Sequence, residues 1–213
     1  MMKKKYRFCL SLVLLLTAFL TAMSGKREHD AALAARIAPE ILRFHVLANS
    51  NSAEDQALKL EVKDFLLDVI RDGAKEIPAD SREALSAYIM ENRDALENAA
   101  EDFMESRGFS YPAEIRLETC EFPEKTYGDM TFPAGTYDAV RVLLGAGEGE
   151  NFWCVLYPSL CYLDSTHAVV PEESKEVLSG LLPEDDFLAL LRARHKGTGT
   201  VRVKFKFLEV LGR

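Results

Sequence analysis

Apolar and polar residues alternate from Ile41 to Ala48 in ILRFHVLA. Leu42, Phe44, Val46 and Ala48 fall on one side, and Ile41, Arg43, His45 and Leu47 on the other. A period of two with one wholly apolar side predicts a β-strand. The period then changes. Leu58, Val62, Phe65, Leu66 and Val69 recur at helical spacing, which predicts a helix from Ala53 to Asp72 stopped by Gly73. Between strand and helix lie Asn49, Ser50, Asn51 and Ser52, a polar turn ending on an N-cap. Ser52 can accept from first-turn amides, and Glu54 and Asp55 place negative charge at the positive end of the helix dipole.

Further on, Leu85, Tyr88, Ile89, Leu96, Ala99, Ala100 and Phe103 form one stripe, which predicts a second long helix from Ser81 to Gly108, antiparallel to the first. Strands are expected over Glu114 to Phe122, Thr136 to Leu144 and Phe152 to Tyr157, the last nearly all apolar and so placed centrally in the sheet. The Gly/Pro-punctuated stretch Thr126 to Gly135 reads as a loop. Short helices follow over Pro171 to Leu182 and Glu184 to Arg194. A final strand, Val201 to Val210, alternates Val201, Val203, Phe205 and Phe207 with Arg202, Lys204 and Lys206. The order strand, two helices, three strands, two helices, strand is an α+β pattern. It predicts a mixed sheet of about five strands with the two long amphipathic helices packed on one face.

The N-terminus departs from this patterning. Four cations, Lys3, Lys4, Lys5 and Arg7, precede the uncharged run Phe8 to Met23, and Ala22 and Ser24 have the small-residue spacing of a cleavage site before Gly25. The run is long for a signal-peptide core and short for a spanning helix, so residues 1–24 read as a signal peptide or signal anchor. In either case the rest of the chain is exported. Residues 25–39 read as a spacer or loose helix, and residues 40–213 as a single α+β domain. Beyond residue 25 the chain holds 22 basic against 34 acidic residues, a net charge of −12. Such a domain is a poor ligand for nucleic acid, and membrane contact is expected only through the N-terminal segment, if it is not cleaved.

Export changes how cysteines are read. Cys9 lies in the export segment, which leaves Cys120, Cys154 and Cys161. If Tyr157-Pro158 is the tip of a tight hairpin, Cys154 faces Cys161 at disulfide distance; the alternative is three buried free thiols. Catalytic motifs are absent: there is no metal-binding His-Glu-x-x-His, no nucleophile elbow and no Cys-x-x-Cys. Gly145-Ala146-Gly147-Glu148-Gly149 lacks the helix that a phosphate loop needs and reads as a turn. Cys161, Asp164 and His167 fall short of a full ligand set. His45 is expected at a solvated or hydrogen-bonded strand position, Trp153 in the core, and His195 at a cation-rich helix end. The row Arg202, Lys204, Lys206 suits protection of a sheet edge. No catalytic residue, metal or cofactor is expected. A binding or signalling protein is favoured over an exported hydrolase with a non-standard thiol or metal site, or a cell-envelope structural protein.

Two blocks add to this reading. Arg43 to Ser52 (RFHVLANSNS), followed by Asp55-Gln56-Ala57-Leu58-Lys59, resembles the opening of the stage II sporulation protein R family. Phe122-Pro123, Tyr127-Gly128, Phe132 to Tyr137 and Asn151 to Val155, with Pro158, Leu160 and Cys161, resemble the rest of its pattern in the same order. Asn51 is a departure, since Asp is more usual there. The resemblance implies a protein made in the forespore and exported into the space between the forespore and mother-cell membranes. There it would activate a membrane-embedded aspartic protease that processes pro-sigma-E. The polar groups of Asn49, Ser50, Asn51, Ser52, Asp55 and Gln56 exceed what one N-cap needs, and are expected to face that partner.

Overall fold

The computed structural model describes residues 2–75, 81–161 and 169–195. One helix, α1 (Met2–Ile37), runs from the basic N-terminus through the apolar run and the stretch read as a spacer. The spacer stretch is therefore helical, and its last turns belong to the core: Leu33, Ala34 and Ile37 are buried. A 3-10 turn (Ala38–Glu40) with Pro39 in its first turn ends the helix and feeds β1 (Leu42–Leu47).

α2 (Ala53–Ala74) starts where the polar turn predicts, with the Ser52 hydroxyl accepting from the Asp55 amide at 3.1 Å. The second long helix is two helices, α3 (Arg82–Glu91) and α4 (Arg93–Ser106). Asn92 breaks it: its backbone leaves helical geometry, and its side-chain amide donates to the Tyr88 carbonyl at 2.9 Å. Asn is a weak helix former because its side chain competes for backbone groups in this way.

β2 (Ala113–Phe122) and β5 (Gly135–Leu144) form long strands. The stretch read as a loop between them holds a small hairpin, β3 (Lys125–Tyr127) with β4 (Met130–Phe132). β6 (Asn151–Tyr157) follows, then α5 (Glu172–Leu181) and α6 (Glu184–His195). The main sheet has order β2-β5-β1-β6, with β1 parallel to β5 and antiparallel to β6. The fold is thus α+β with a mixed sheet, as the patterning predicts, in four main strands among the described residues. Among the described residues, β1 and β5 hold the centre and β6 pairs with β1 alone, at the end of the order, where its apolar run suggested a central place. The run suits a strand buried on both sides. Both faces of β6 are covered, with Cys154 and Leu156 in one core and Val155 in the other. The strand expected over 201–210, with its cationic row, lies outside the described residues.

One core fills the face carrying Leu42, Phe44 and Val46, where α2, α3 and α4 pack their aliphatic stripes. A second core fills the other face, closed by the end of α1, the β3–β4 hairpin, α5 and α6. Arg36 of α1 donates three hydrogen bonds to Asp186 of α6, at 3.1, 3.0 and 2.8 Å, and so holds these two lids together. At the outer edge of β2, the amides of Ala113 and Ile115 donate to Glu101 and Glu97 of α4 at 3.0 and 2.7 Å. Their ladder positions are thereby satisfied without another strand.

Candidate partner-binding surface

The polar turn caps the end of the sheet remote from α1, and a hydrogen-bond network fixes it. Asn49 and Ser50 both donate to one carboxylate oxygen of Asp55, at 2.9 and 2.6 Å, and Tyr111 donates to the other at 3.0 Å. Asp55 is buried. The Ser50 hydroxyl, with Asn49 and Tyr111, holds its carboxyl below the usual range against the opposing effect of burial. Burial, with the hydrogen bond to the same carboxylate, pushes the Tyr111 phenol up. Gln56 donates to the Ser50 carbonyl at 2.9 Å. Buried Lys59 donates to Gln56 at 2.6 Å and to the Glu150 carbonyl at 2.9 Å.

The turn also grips its neighbour, the β5–β6 connection. Asn49 accepts from the Ala146 amide at 3.0 Å, and Asn51 from the Glu150 amide at 2.7 Å. Gly145 sits here at φ 58°, and a side chain on it would collide with the Asn49 side chain. The glycine-rich segment is thus a turn shaped to receive Asn49. All six residues expected to face a partner have polar side-chain groups engaged within the chain. Asn51 and Ser52 differ in being exposed at the rim as well. Lys59, Tyr111 and Gly145, which complete the cluster, carry no local signal; only the fold brings them to the turn.

Arg43 and His45 are both buried, which corrects the solvated alternative expected for His45. The Arg43 guanidinium lies over the rings of Tyr137, Phe122 and Phe132, with its carbon 4.5, 4.9 and 5.1 Å from their centroids. It donates to the Tyr127 hydroxyl at 3.3 Å, while its Nε and Nη2 have no hydrogen-bond partner among the described residues. Burial pushes Tyr127 up to about 12, outweighing the pull of the Arg43 charge. His45 stacks on Trp153 at 3.7 Å between centroids, with Phe122 edge-on. Asn151 approaches the ring, yet neither ring nitrogen has hydrogen-bond geometry to a partner among the described residues. Burial lowers His45 to about 4, so the imidazole is neutral at pH 7. Trp153 is half-buried against the second core.

Cys154 and Cys161 are joined by a disulfide, and Cys120 is a half-buried free thiol. Cys161 therefore has no thiolate to offer a hydrolytic site; Asp164 and His167 lie outside the described residues, as do the side chains of the α6 end from residue 192. Among the described residues, no three His, Cys, Asp or Glu side chains are grouped to hold a metal.

What these features define is an α+β domain continuous with an N-terminal apolar helix that fits a signal peptide or a membrane anchor. The chain belongs to the stage II sporulation protein R family, whose sequence model matches residues 38–167, from the turn before β1 to beyond the disulfide. Stage II sporulation protein R of Bacillus subtilis (strain 168) is 34% identical over 184 residues, which cover 82% of this chain and 79% of that protein. No solved structure matches the chain.

Proposed function

We propose that this protein is an exported sporulation signal. It is made in the forespore and crosses the forespore membrane by its apolar N-terminal segment. In the intermembrane space it activates the membrane-embedded aspartic protease that processes pro-sigma-E in the mother cell. The observation that carries this reading is the family match, which takes in β1, the polar turn and the disulfide-bonded turn in one span. The ligand is the folded domain itself. A turn held by Asp55, Lys59 and Tyr111 loses little conformational freedom on binding, which favours recognition by a preformed surface. Asn51 and Ser52 supply the exposed polar groups of that surface, and Asn49, Ser50, Asp55 and Gln56 set its shape.

Deleting the gene in its own sporulating host tests the reading. Pro-sigma-E should accumulate unprocessed on an immunoblot, and expression of the gene in the forespore alone should restore processing. Normal processing in the deletion strain would overturn the proposal and leave a structural role in the cell envelope as its replacement.

A further inference from the structure

Cys154 lies on β6, and Cys161 follows the turn that ends the strand, only seven residues away. Both are buried in the aliphatic core beneath α2, with exposures of 1% and 5%. Once α2 has docked on the sheet, no protein-sized oxidant can reach either sulfur. The short separation, by contrast, lets the two thiols meet in the emerging chain before any distant contact has formed. Cys120 cannot intervene afterwards. It stands on the opposite side of the sheet from Cys154: Cys120 lies across from Tyr137, in the second core, whereas Cys154 lies across from Phe44, in the first. Burial raises its thiol pKa, which lowers its share of reactive thiolate.

We propose that the Cys154–Cys161 bridge is an export-coupled modification, installed on the far side of the membrane by a thiol–disulfide oxidoreductase before the domain closes, and that the oxidised chain is the form that folds stably. One cysteine thiolate attacks the oxidoreductase disulfide, forms a mixed disulfide and expels one catalyst thiolate. The second cysteine thiolate attacks the substrate sulfur of that mixed disulfide, which closes the bridge and releases the other catalyst thiolate. Two electrons pass to the oxidoreductase, which leaves as a dithiol, and the two cysteine protons are taken up in forming it. The proposal rests on the export reading above, but its test reads thiols and not signalling.

The test uses the full chain carrying Cys9→Ser and Cys120→Ser, so that only the pair can be labelled. After an acid quench and denaturation, a maleimide reagent counts free thiols by gel shift. The exported protein should take no label, and the same chain lacking its export segment should take two. A mild reductant should open the bridge at least tenfold more slowly in the native protein than in denaturant. Cells without envelope thiol oxidoreductases should export a chain that takes two labels. In a denaturant titration, Cys154→Ala with Cys161→Ala should lower the folded-to-unfolded ratio roughly fifty-fold, the entropy of closing so short a loop. Free thiols in the exported protein, equal reduction rates in the two states, a bridge formed without oxidoreductases, or unchanged stability of the double variant would each overturn the proposal. Normal pro-sigma-E processing in the gene deletion strain would defeat the signalling reading and leave the labelling result standing.

Discussion

The two faces of the central strand β1 are buried to the same degree by opposite means. On one, Leu42, Phe44 and Val46 meet the aliphatic stripes of three helices, and burial follows from the hydrophobic effect alone. On the other, Arg43 and His45 are enclosed just as completely, among Phe122, Phe132, Tyr137, Tyr127 and Trp153. A buried cation with no carboxylate beside it among the described residues is costly. Here the flat guanidinium presents its charge to ring faces, which offsets part of that cost. A charged residue in an alternating strand therefore does not mark a solvent face. Whether elements distant in sequence arrive to cover it decides the matter, and here α1, the β3–β4 hairpin and α6 do so.

The sharpest way to break the contrast is on the aliphatic face. Phe44→Ala removes a fully buried ring beneath α2 and should cost about 3–5 kcal/mol, the usual penalty for an aromatic cavity. A shifted urea midpoint with unchanged slope would report it. The mixed face should respond to pH instead. His45 is held near 4, well below its ordinary 6.5, so between these values the unfolded chain binds a proton that the folded chain refuses. Stability is then full above pH 6.5 and falls as the pH drops toward 4, by on the order of 3 kcal/mol. His45→Phe keeps a stacking ring and removes the titration. The difference between its stability and that of the wild type should therefore change across this window and be flat above it; an unchanging difference would show that His45 does not couple folding to protons. Asp55 has the same sign at lower pH. Its depressed pKa gives stability that is complete above the ordinary carboxylate range and lost only as the pH falls through its folded value.

Arg43 separates charge from packing. Arg43→Met keeps the length of the side chain and drops an incompletely paired charge, and should change stability by no more than about 1 kcal/mol in either direction, because neutral replacement of a buried ion is often harmless. Arg43→Lys keeps the charge but loses the flat surface that meets three rings, and should cost about 2 kcal/mol. Equal losses in the two variants would mean that the cage serves shape alone.

What was legible in the sequence divides along the same line. Local periodicity identified β1, α2, β2, β5 and β6, and Ser52 marked the start of α2 because caps are written within a few residues of the helix they serve. The fate of Arg43 and His45 was not legible, since it depends on rings from Phe122 to Trp153, far along the chain. The β3–β4 hairpin was hidden because its two strands are only three residues long and are punctuated by Gly128. The break at Asn92 fell inside an apolar stripe that continues in phase on both sides. At the polar turn the sequence displayed a surplus of hydrogen-bonding groups but not their targets, which include the amides of Ala146 and Glu150 nearly a hundred residues on.

That turn is where the smallest effects are the most telling. Gly145→Ala meets both a left-handed backbone and the Asn49 side chain, so it should cost about 1–2 kcal/mol, with any loss of activation following the loss of folded protein. Asn51→Ala is gentler. Its side chain is exposed and accepts one backbone hydrogen bond, from Glu150, so its removal should cost about 0.5–1 kcal/mol. A penalty of that size leaves most of a domain of ordinary stability folded. If Asn51 contributes to recognition, pro-sigma-E processing in the Asn51→Ala strain should fall several-fold while the level of folded protein and its urea midpoint stay near those of the wild type. Processing that follows folded protein equally in Asn51→Ala and Gly145→Ala would assign the turn to architecture alone, and would move the search for the partner surface to the half-exposed Trp153 side of the mixed face.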